Sequence, residues 1–280
     1  MSDRPRTLSF FLLAAFFALF VLFLYGPTLT IVILSFQGPS GGLTFPMRGL
    51  SLYWFGNLFE KQMVGDFAGS FQRSIVLGLA AMVVTVIVSF SAGLAFRKRF
   101  RGSSVVFYLA IASLIVPSIL ISLGIGLLFR VIGVDTAWYS SAFGAHLTWT
   151  LPFGLLIMFA VFNRFDRRYE EVARDLVATS WQTVRHVIVP IVLPSLIGVG
   201  LFGFTLSYDE FARSLYTAGT FNTLPLEIYG MTTNVTTPVL YALGTFTTGL
   251  SFLVIALALV STIVVRRRRA RHGSDAGRAA

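Results

Sequence analysis

The sequence predicts an all-α membrane protein with six transmembrane helices and both termini in the cytoplasm. Three observations carry this. Of the 280 residues, 55% are hydrophobic and only 12% are charged, where a soluble domain averages about 25% charged. The apolar residues collect into six runs, each reaching the roughly 20 residues that a bilayer crossing needs. The basic residues divide unevenly between the faces that these runs define. Seventeen of the 22 Lys and Arg fall in the N-terminal lead, the Arg97–Arg101 cluster, the Arg164–Arg185 stretch and the C-terminal tail. The other five are Arg48, Lys61, Arg73, Arg130 and Arg213. Excess positive charge marks the cytoplasmic side, and an even number of crossings returns the chain to it. The net charge of +10 therefore needs no nucleic acid to explain it; the lipid bilayer is the partner that the charge pattern fits.

Met1 to Thr7 is a short basic lead. Leu8 to Phe36 is the first span, interrupted by Gly26-Pro27. A signal peptide has an apolar core of roughly 7–15 residues; this run is longer and has no small-residue cleavage site in the right place. Gln37 to Gly69 is a polar loop carrying Tyr53 and Trp54. Ser70 to Phe96 is the second span and Ser104 to Phe129 the third, with Pro117 inside it. Ser140 to Phe162 is the fourth, with Pro152. Ile191 to Tyr216 is the fifth, Thr217 to Thr236 a loop, and Thr237 to Val265 the sixth. Proline inside a span is either a hinge or simply tolerated, because neighbours satisfy the freed backbone groups. Residues 8–265 thus form the membrane domain, and Arg266–Arg269 reads as an anchor on anionic lipid. The basic tail, residues 266–280, has the composition of a disordered segment.

The exception to all this oil is the stretch 164–190, with nine charged residues. It cannot cross a bilayer, where a central charge costs about 2.5–3.5 kcal/mol even on the lenient scale. Yet it is patterned. Tyr169, Val172, Ala173, Leu176 and Val177 recur at helical spacing and form an apolar stripe. Glu170 and Arg174 lie four apart in the favourable order on the opposite face. Thr179 and Gln182 have capping-box spacing, so a second helix starts there. Pro190 and Pro194 open the next span. The pattern reads as helix, turn, helix, with an apolar face that either packs on its own bundle or docks in the groove of another protein. The charge count places it in the cytoplasm, which favours docking.

This stretch resembles the EAA loop of bacterial ABC-importer permeases, which reads Glu-Ala-Ala, three residues, Gly, nine residues, Ile, one residue, Leu-Pro. Glu171, Ala173 and Pro190 match it. Val172, Val177, Val187 and Val189 stand at Ala, Gly, Ile and Leu positions. Gly reaches φ > 0 without steric conflict; Val does not, so the turn is expected to slide to Ala178–Ser180. The resemblance implies the type I ABC-importer permease fold and a coupling loop docked on an ATPase subunit, with Tyr169, Glu171, Val172, Ala173, Asp175, Leu176, Ala178, Thr179 and Pro190 in the contact. It also implies an assembly of two ATP-binding subunits, a second permease (a heterodimer) and an outer solute-binding protein. The chain has no Gly-rich Lys motif for phosphate, so no cofactor is expected on it; ATP and Mg belong to the partner ATPase.

Charges inside the spans are few, and Ser207-Tyr208-Asp209-Glu210 is the exception. An intramembrane carboxylate is a functional-site hypothesis by default. Adjacent helical residues lie about 100° apart, so Asp209 and Glu210 face different neighbours, and Glu210 can pair with Arg213. Either the group is a neutral local pair at the interface, or Ser207, Tyr208, Asp209 and Glu210 line a cation path, with charge beside an aromatic face. The run from Phe204 to Tyr229 is similar to the second permease of spermidine/putrescine importers, in its Ser-x-acid-acid at Ser207–Glu210 and its Leu-Pro-Leu at Leu224–Leu226. That resemblance implies a small cationic solute, a polyamine. Related permeases for opines, amino acid derivatives and aminophosphonates share similar runs. Asp135, Trp138 and Tyr139 suit an amine but equally an interfacial aromatic belt.

Other classes are less well served. A self-sufficient transporter or channel needs an ion site of its own. With no cysteine and three histidines far apart, thiolate and histidine metal sites and disulfides have no ligands. A membrane enzyme would need a matched polar cluster in its spans.

Overall fold

The computed structural model describes residues 7–59, 65–98, 100–234 and 237–276. The lead Met1–Arg6, Lys61, Arg99 and the last four residues of the predicted tail lie outside these. The described elements are almost wholly helical. The chain forms two compact units, residues 1–65 with 230–250, and residues 66–229 with 251–280.

In the first unit, α1 (Leu8–Leu34) is a 27-residue apolar helix whose surface is exposed almost throughout, as a lipid-facing helix requires. Pro27 sits inside it, and Thr30 Oγ1 donates to the Gly26 carbonyl at 2.9 Å. The loop that follows folds on the buried Gln37, which makes an antiparallel bridge with Leu50 and accepts from the Arg48 amide at 3.3 Å. A short helix, α2 (Tyr53–Gly56), lies within this predicted loop. The Tyr241 hydroxyl donates to the Leu43 carbonyl at 2.6 Å.

The second unit is built on α3 (Phe67–Phe96), α6 (Phe143–Asn163) and α9 (Val189–Tyr208). The buried face of α3 is mostly small: Ser70, Ser74, Gly78, Ala81, Thr85, Ser89 and Gly93 recur every three or four residues. Small residues let helix backbones approach closely where lipid supplies no hydrophobic drive. A Cβ on Gly78 would meet the Phe204 ring at 3.0 Å, and one on Gly93 the Phe162 ring at 2.8 Å. Thr85 and Thr150 hydroxyls bond across the α3–α6 contact at 2.8 Å. Met158, Phe162, Ile188, Val192, Leu196 and Val199 close the apolar core.

Four boundaries differ from the sequence reading. The predicted third span is two helices, α4 (Ser103–Ile115) and α5 (Ser118–Val131), bent by 106°. Val116 precedes Pro117 and is extended (φ −72°, ψ 128°), the conformation that a following proline imposes. The described residues hold five helices long and apolar enough to cross a membrane, or six with this bent pair as one. Pro190 stands in the first turn of α9, where the sequence reading puts it, but helix continues back from there to Ser180. The turn Val184–Ile188 is π-helical, with the Val189 amide donating to the Val184 carbonyl. Such a widened turn accommodates a neighbouring proline that has no N–H. The span also ends eight residues early, at Tyr208 instead of Tyr216. Residues 209–223 form an irregular turn segment before α10 (Leu224–Asn234). The last helix, α11 (Val239–Ala276), continues well past the predicted end of the sixth span and through most of the predicted tail.

Candidate functional site

Two polar regions occupy opposite ends of α3, a helix of 30 residues and so about 45 Å long. At its C-terminal end lies the charged stretch. Helix α7 (Arg168–Asp175) carries Glu170 and Glu171 in its first turn and Arg174 in its last, matching the helix dipole at both ends. Glu170 does not pair with Arg174 as its spacing predicts. It reaches Arg97, at the end of α3, at 2.5 Å. The Arg97 guanidinium also lies 5.3 Å from the Phe162 ring and 5.1 Å from the Phe165 ring. This partly buried ion pair with aromatic cover joins α7 to α3.

The turn after α7 is where the sequence reading fails. Val177 itself takes the left-handed conformation, φ +59°. Its amide donates to the Arg174 carbonyl at 2.8 Å, and the Ala178 amide to the Ala173 carbonyl at 3.0 Å. These are the two bonds of a Schellman cap, with Val177 at the position usually held by glycine. The turn has not slid; the cap holds a β-branched residue where steric conflict opposes it. Thr179 then caps α8 (Ser180–Thr183) with the expected box. Its Oγ1 accepts from the Gln182 amide at 3.3 Å, and its own amide donates to Gln182 Oε1 at 2.7 Å.

Together α7 and α8 present an open concavity lined by Tyr169, Val172, Leu176, Val177 and Gln182 among others. Tyr169, Val172, Leu176, Val177 and Trp181 are each more than half exposed. Ala173 turns inward and is buried; Glu171, Asp175, Thr179 and Pro190 are exposed and Ala178 is half-buried. The predicted stripe is therefore bare apart from Ala173. Trp181, on α8, is a further exposed aromatic of the same segment.

At the other end of α3, the turn after α9 is tied to the bundle by polar side chains. Arg73 Nε donates to the Asn222 carbonyl at 2.8 Å, and the Leu224 amide to Ser74 Oγ at 2.8 Å. Glu227 accepts from the Asp66 amide at 2.6 Å and from Asn222 Nδ2 at 2.8 Å. Arg213 is wholly buried. It pairs with Glu210 at 3.5 Å, donates to Thr148 Oγ1 at 3.2 Å and to Ser118 Oγ at 2.6 Å, and lies 4.4 Å from the Trp149 ring. A buried charge persists only with this kind of pairing and hydrogen bonding. Ser122 Oγ donates to the Arg213 carbonyl and accepts from the Tyr216 amide, each at 2.9 Å. A Cβ on Gly126 would lie 2.6 Å from the Tyr216 carbonyl oxygen. The Ser118–Ser122–Gly126 face of α5 is the bed in which this segment lies.

Of the four predicted pathway residues, the structure brings Asp209 to the surface and takes two others away from it. Asp209 caps α9 and is exposed, and its carboxylate has no ion pair or hydrogen bond among the described residues. Glu210 is half-buried and pairs with Arg213 as its spacing predicts. Tyr208 is not an aromatic wall beside Asp209: it is buried and stacks on Phe204 with ring centroids 5.7 Å apart. Ser207 is buried too, with its hydroxyl 2.8 Å from His146 Nδ1. His146 is the residue that sequence reasoning missed. A lone histidine in an apolar span is itself a signal of a polar partner on another helix. Trp138 and Tyr139 pack edge to face at 5.6 Å.

This arrangement has counterparts. Residues 85–270 match the family described as binding-protein-dependent transport system inner membrane component. The chain is 30% identical to the spermidine/putrescine transport system permease protein PotC of Haemophilus influenzae over 259 residues, 92% of this chain and 98% of that one. It is 28% identical to PotC of Escherichia coli K12, covering 90% and 93%. It is also 28% identical to the putrescine transport system permease protein PotI of the same strain, covering 81% and 82%. Among solved structures it is similar to a chain of a bacterial ABC transporter involved in import of the acidic polysaccharide alginate, with TM-score 0.64, 14% identity, and 97% and 98% of the two chains covered. A chain of the inward-facing MetNI methionine ABC transporter matches with TM-score 0.52, 18% identity, and 70% and 96% covered. With two thirds of its length in the family match and the helical architecture shared, the chain belongs to the binding-protein-dependent transport system inner membrane components, the multi-pass permeases of ABC importers.

Proposed function

We propose that this chain is one permease of an ATP-driven importer for a small cationic solute of the polyamine class, spermidine or putrescine. The observation that carries the solute is Asp209: an exposed carboxylate with no protein partner among the described residues, held on a braced turn at the end of a membrane helix. A carboxylate so placed needs water or a cation as partner, and a passing ammonium group serves. The curated relatives named above are polyamine permeases, which supports the same class. A path must release what it binds, and a single carboxylate without an aromatic cage suits weak, transient contact.

The chain performs no covalent chemistry in this reading. A separate ATPase, expected in two copies with its ATP and Mg, docks on the apolar face of α7 and α8. A second permease completes the path, and a solute-binding protein delivers the cargo from outside. Both termini and the coupling segment face the cytoplasm. Movement of the docked segment passes to α3 through Arg97 and Glu170, which shifts the bundle between its two states.

The test is uptake of labelled putrescine and spermidine into proteoliposomes holding the full complex. Asp209→Asn keeps shape and removes charge. Its uptake should fall about tenfold or more, equivalent to about 1.4 kcal/mol of lost stabilisation, while assembly and binding-protein docking stay intact. Unchanged uptake, or a natural solute that proves anionic, would remove the cation path.

A further inference from the structure

His146 is buried, on α6, between the two serines that flank the Asp209–Arg213 turn: Nδ1 lies 2.8 Å from Ser207 Oγ, and Nε2 lies 2.8 Å from Ser214 Oγ. Which nitrogen carries the proton follows from a third bond. Ser214 Oγ donates its one hydrogen to the Glu210 carbonyl at 2.9 Å. It must therefore accept from His146, so Nε2 bears the proton. A neutral ring then has Nδ1 free as an acceptor, and Ser207 Oγ–H donates to it. All the hydrogens run one way, from Ser207 through His146 and Ser214 to the backbone of Glu210. One tautomer thus satisfies both ring nitrogens and both serine hydroxyls of this relay, as a buried network must be to stabilise rather than strain.

We infer that Ser207, His146 and Ser214 form a positioning clamp that holds the Asp209–Arg213 turn against α6. Ser207 acts through His146 rather than by touching the solute. The two serines flank the turn seven residues apart and meet the same imidazole. The turn between them is thereby closed on α6, and Arg213 reinforces it through Thr148, one turn or less further along the same helix. Asp209, the exposed member, gains its place from the clamp. Any movement of α6 relative to α9 has to carry the turn with it. This inference rests on Asp209 lying in the solute path, but the clamp itself is a statement about geometry and can fail separately.

A double-mutant cycle on the full transporter separates clamp from contact. Ser207→Ala and His146→Phe should each slow uptake by a similar factor, about fivefold to tenfold for the loss of buried hydrogen bonds. The doubly substituted complex should be no slower than His146→Phe alone, because one relay broken twice is still one relay. The ratio of putrescine to spermidine uptake should stay as in the parent, since no group that reads the solute has changed. If His146→Phe does not assemble, Ser214→Ala breaks the same relay at its other end and takes its place in the cycle. Multiplicative effects of the two substitutions, or a solute ratio that shifts with Ser207→Ala, would overturn the clamp and return Ser207 to the path. If the parent complex moves no polyamine at all, the solute reading fails instead. The cycle is then read on ATP hydrolysis stimulated by the binding protein, where the same non-additivity is expected.

Discussion

Val177 occupies a backbone position that nearly every residue avoids. Left-handed φ costs a non-glycine residue about 1–2 kcal/mol, and β-branching sharpens the conflict. Two cap hydrogen bonds and the side chain's freedom at 88% exposure let the chain tolerate it. Glycine there would relieve the conflict and add about 0.5–1 kcal/mol of unfolded-state entropy. The difference favours Val177→Gly by up to about 1.5 kcal/mol. We expect a slightly raised melting midpoint for the purified complex. Val177→Pro, whose ring locks φ near −65°, should lose the cap and the ATPase together; a Pro variant that still co-purifies with it would show that the left-handed turn is dispensable. At the same scale, Arg213 shows why an isolated pair of charges is a poor guide. Its three-residue spacing from Glu210 predicts an ion pair, and one forms. Its guanidinium is nonetheless held as much by α5 and α6.

Two elements make separable claims. The α3–α6 contact depends on the absence of side chains. A Cβ on Gly154 would fall 2.3 Å from Ser89 Oγ and 2.8 Å from Thr85 Cγ2. Gly154→Val should therefore destabilise the permease by about 1–3 kcal/mol through overpacking. Gly144, on the same helix, has nothing within 4 Å of its Cβ position, so Gly144→Ala is the matched control. Equal thermal stability of the two variants would contradict the close approach. The α7–α8 face makes the opposite claim, that side chains now bare are covered in the complex. Leu176 is 78% exposed, so Leu176→Asp should leave folding intact. A central apolar anchor contributes about 2 kcal/mol or more at an interface, so the variant should bind its ATPase about 30-fold more weakly in titration. Undiminished binding would place the ATPase elsewhere on the chain.

Across the whole molecule, α3 is the ruler. Its C-terminal end meets the coupling segment through Arg97 and Glu170, and its N-terminal end meets the Asn222–Glu227 segment through Arg73 and Ser74. The two polar regions thus belong to opposite membrane faces if α3 spans the bilayer. Reporter fusions at Gly230 and Ala270 should then report opposite sides, with Ala270 on the side of the coupling segment. Matching signals from the two fusions would overturn the count of six spans.

Some of this was legible in one dimension. The spans, the capping box at Thr179–Gln182 and the Glu210–Arg213 pair involve residues within four positions of one another or uninterrupted apolar runs. Such features are governed by local geometry, so a sequence displays them directly. The helical span ending at Tyr208, the break at Val116-Pro117, the left-handed Val177 and the Arg97–Glu170 pair are of another kind. Proline forbids a straight α4–α5 helix, but a kink and a 106° break satisfy it equally; the bed that α5 provides for residues 213–216 selects the break. The serines around Asp209 read as path-lining residues until α6 brings His146 between them, from 61 residues away for Ser207 and 68 for Ser214. Sequence spacing determined which residues could be helical, apolar or paired with near neighbours. Packing decided which polar groups were left facing outward, because a buried donor or acceptor must find its partner wherever the fold supplies one.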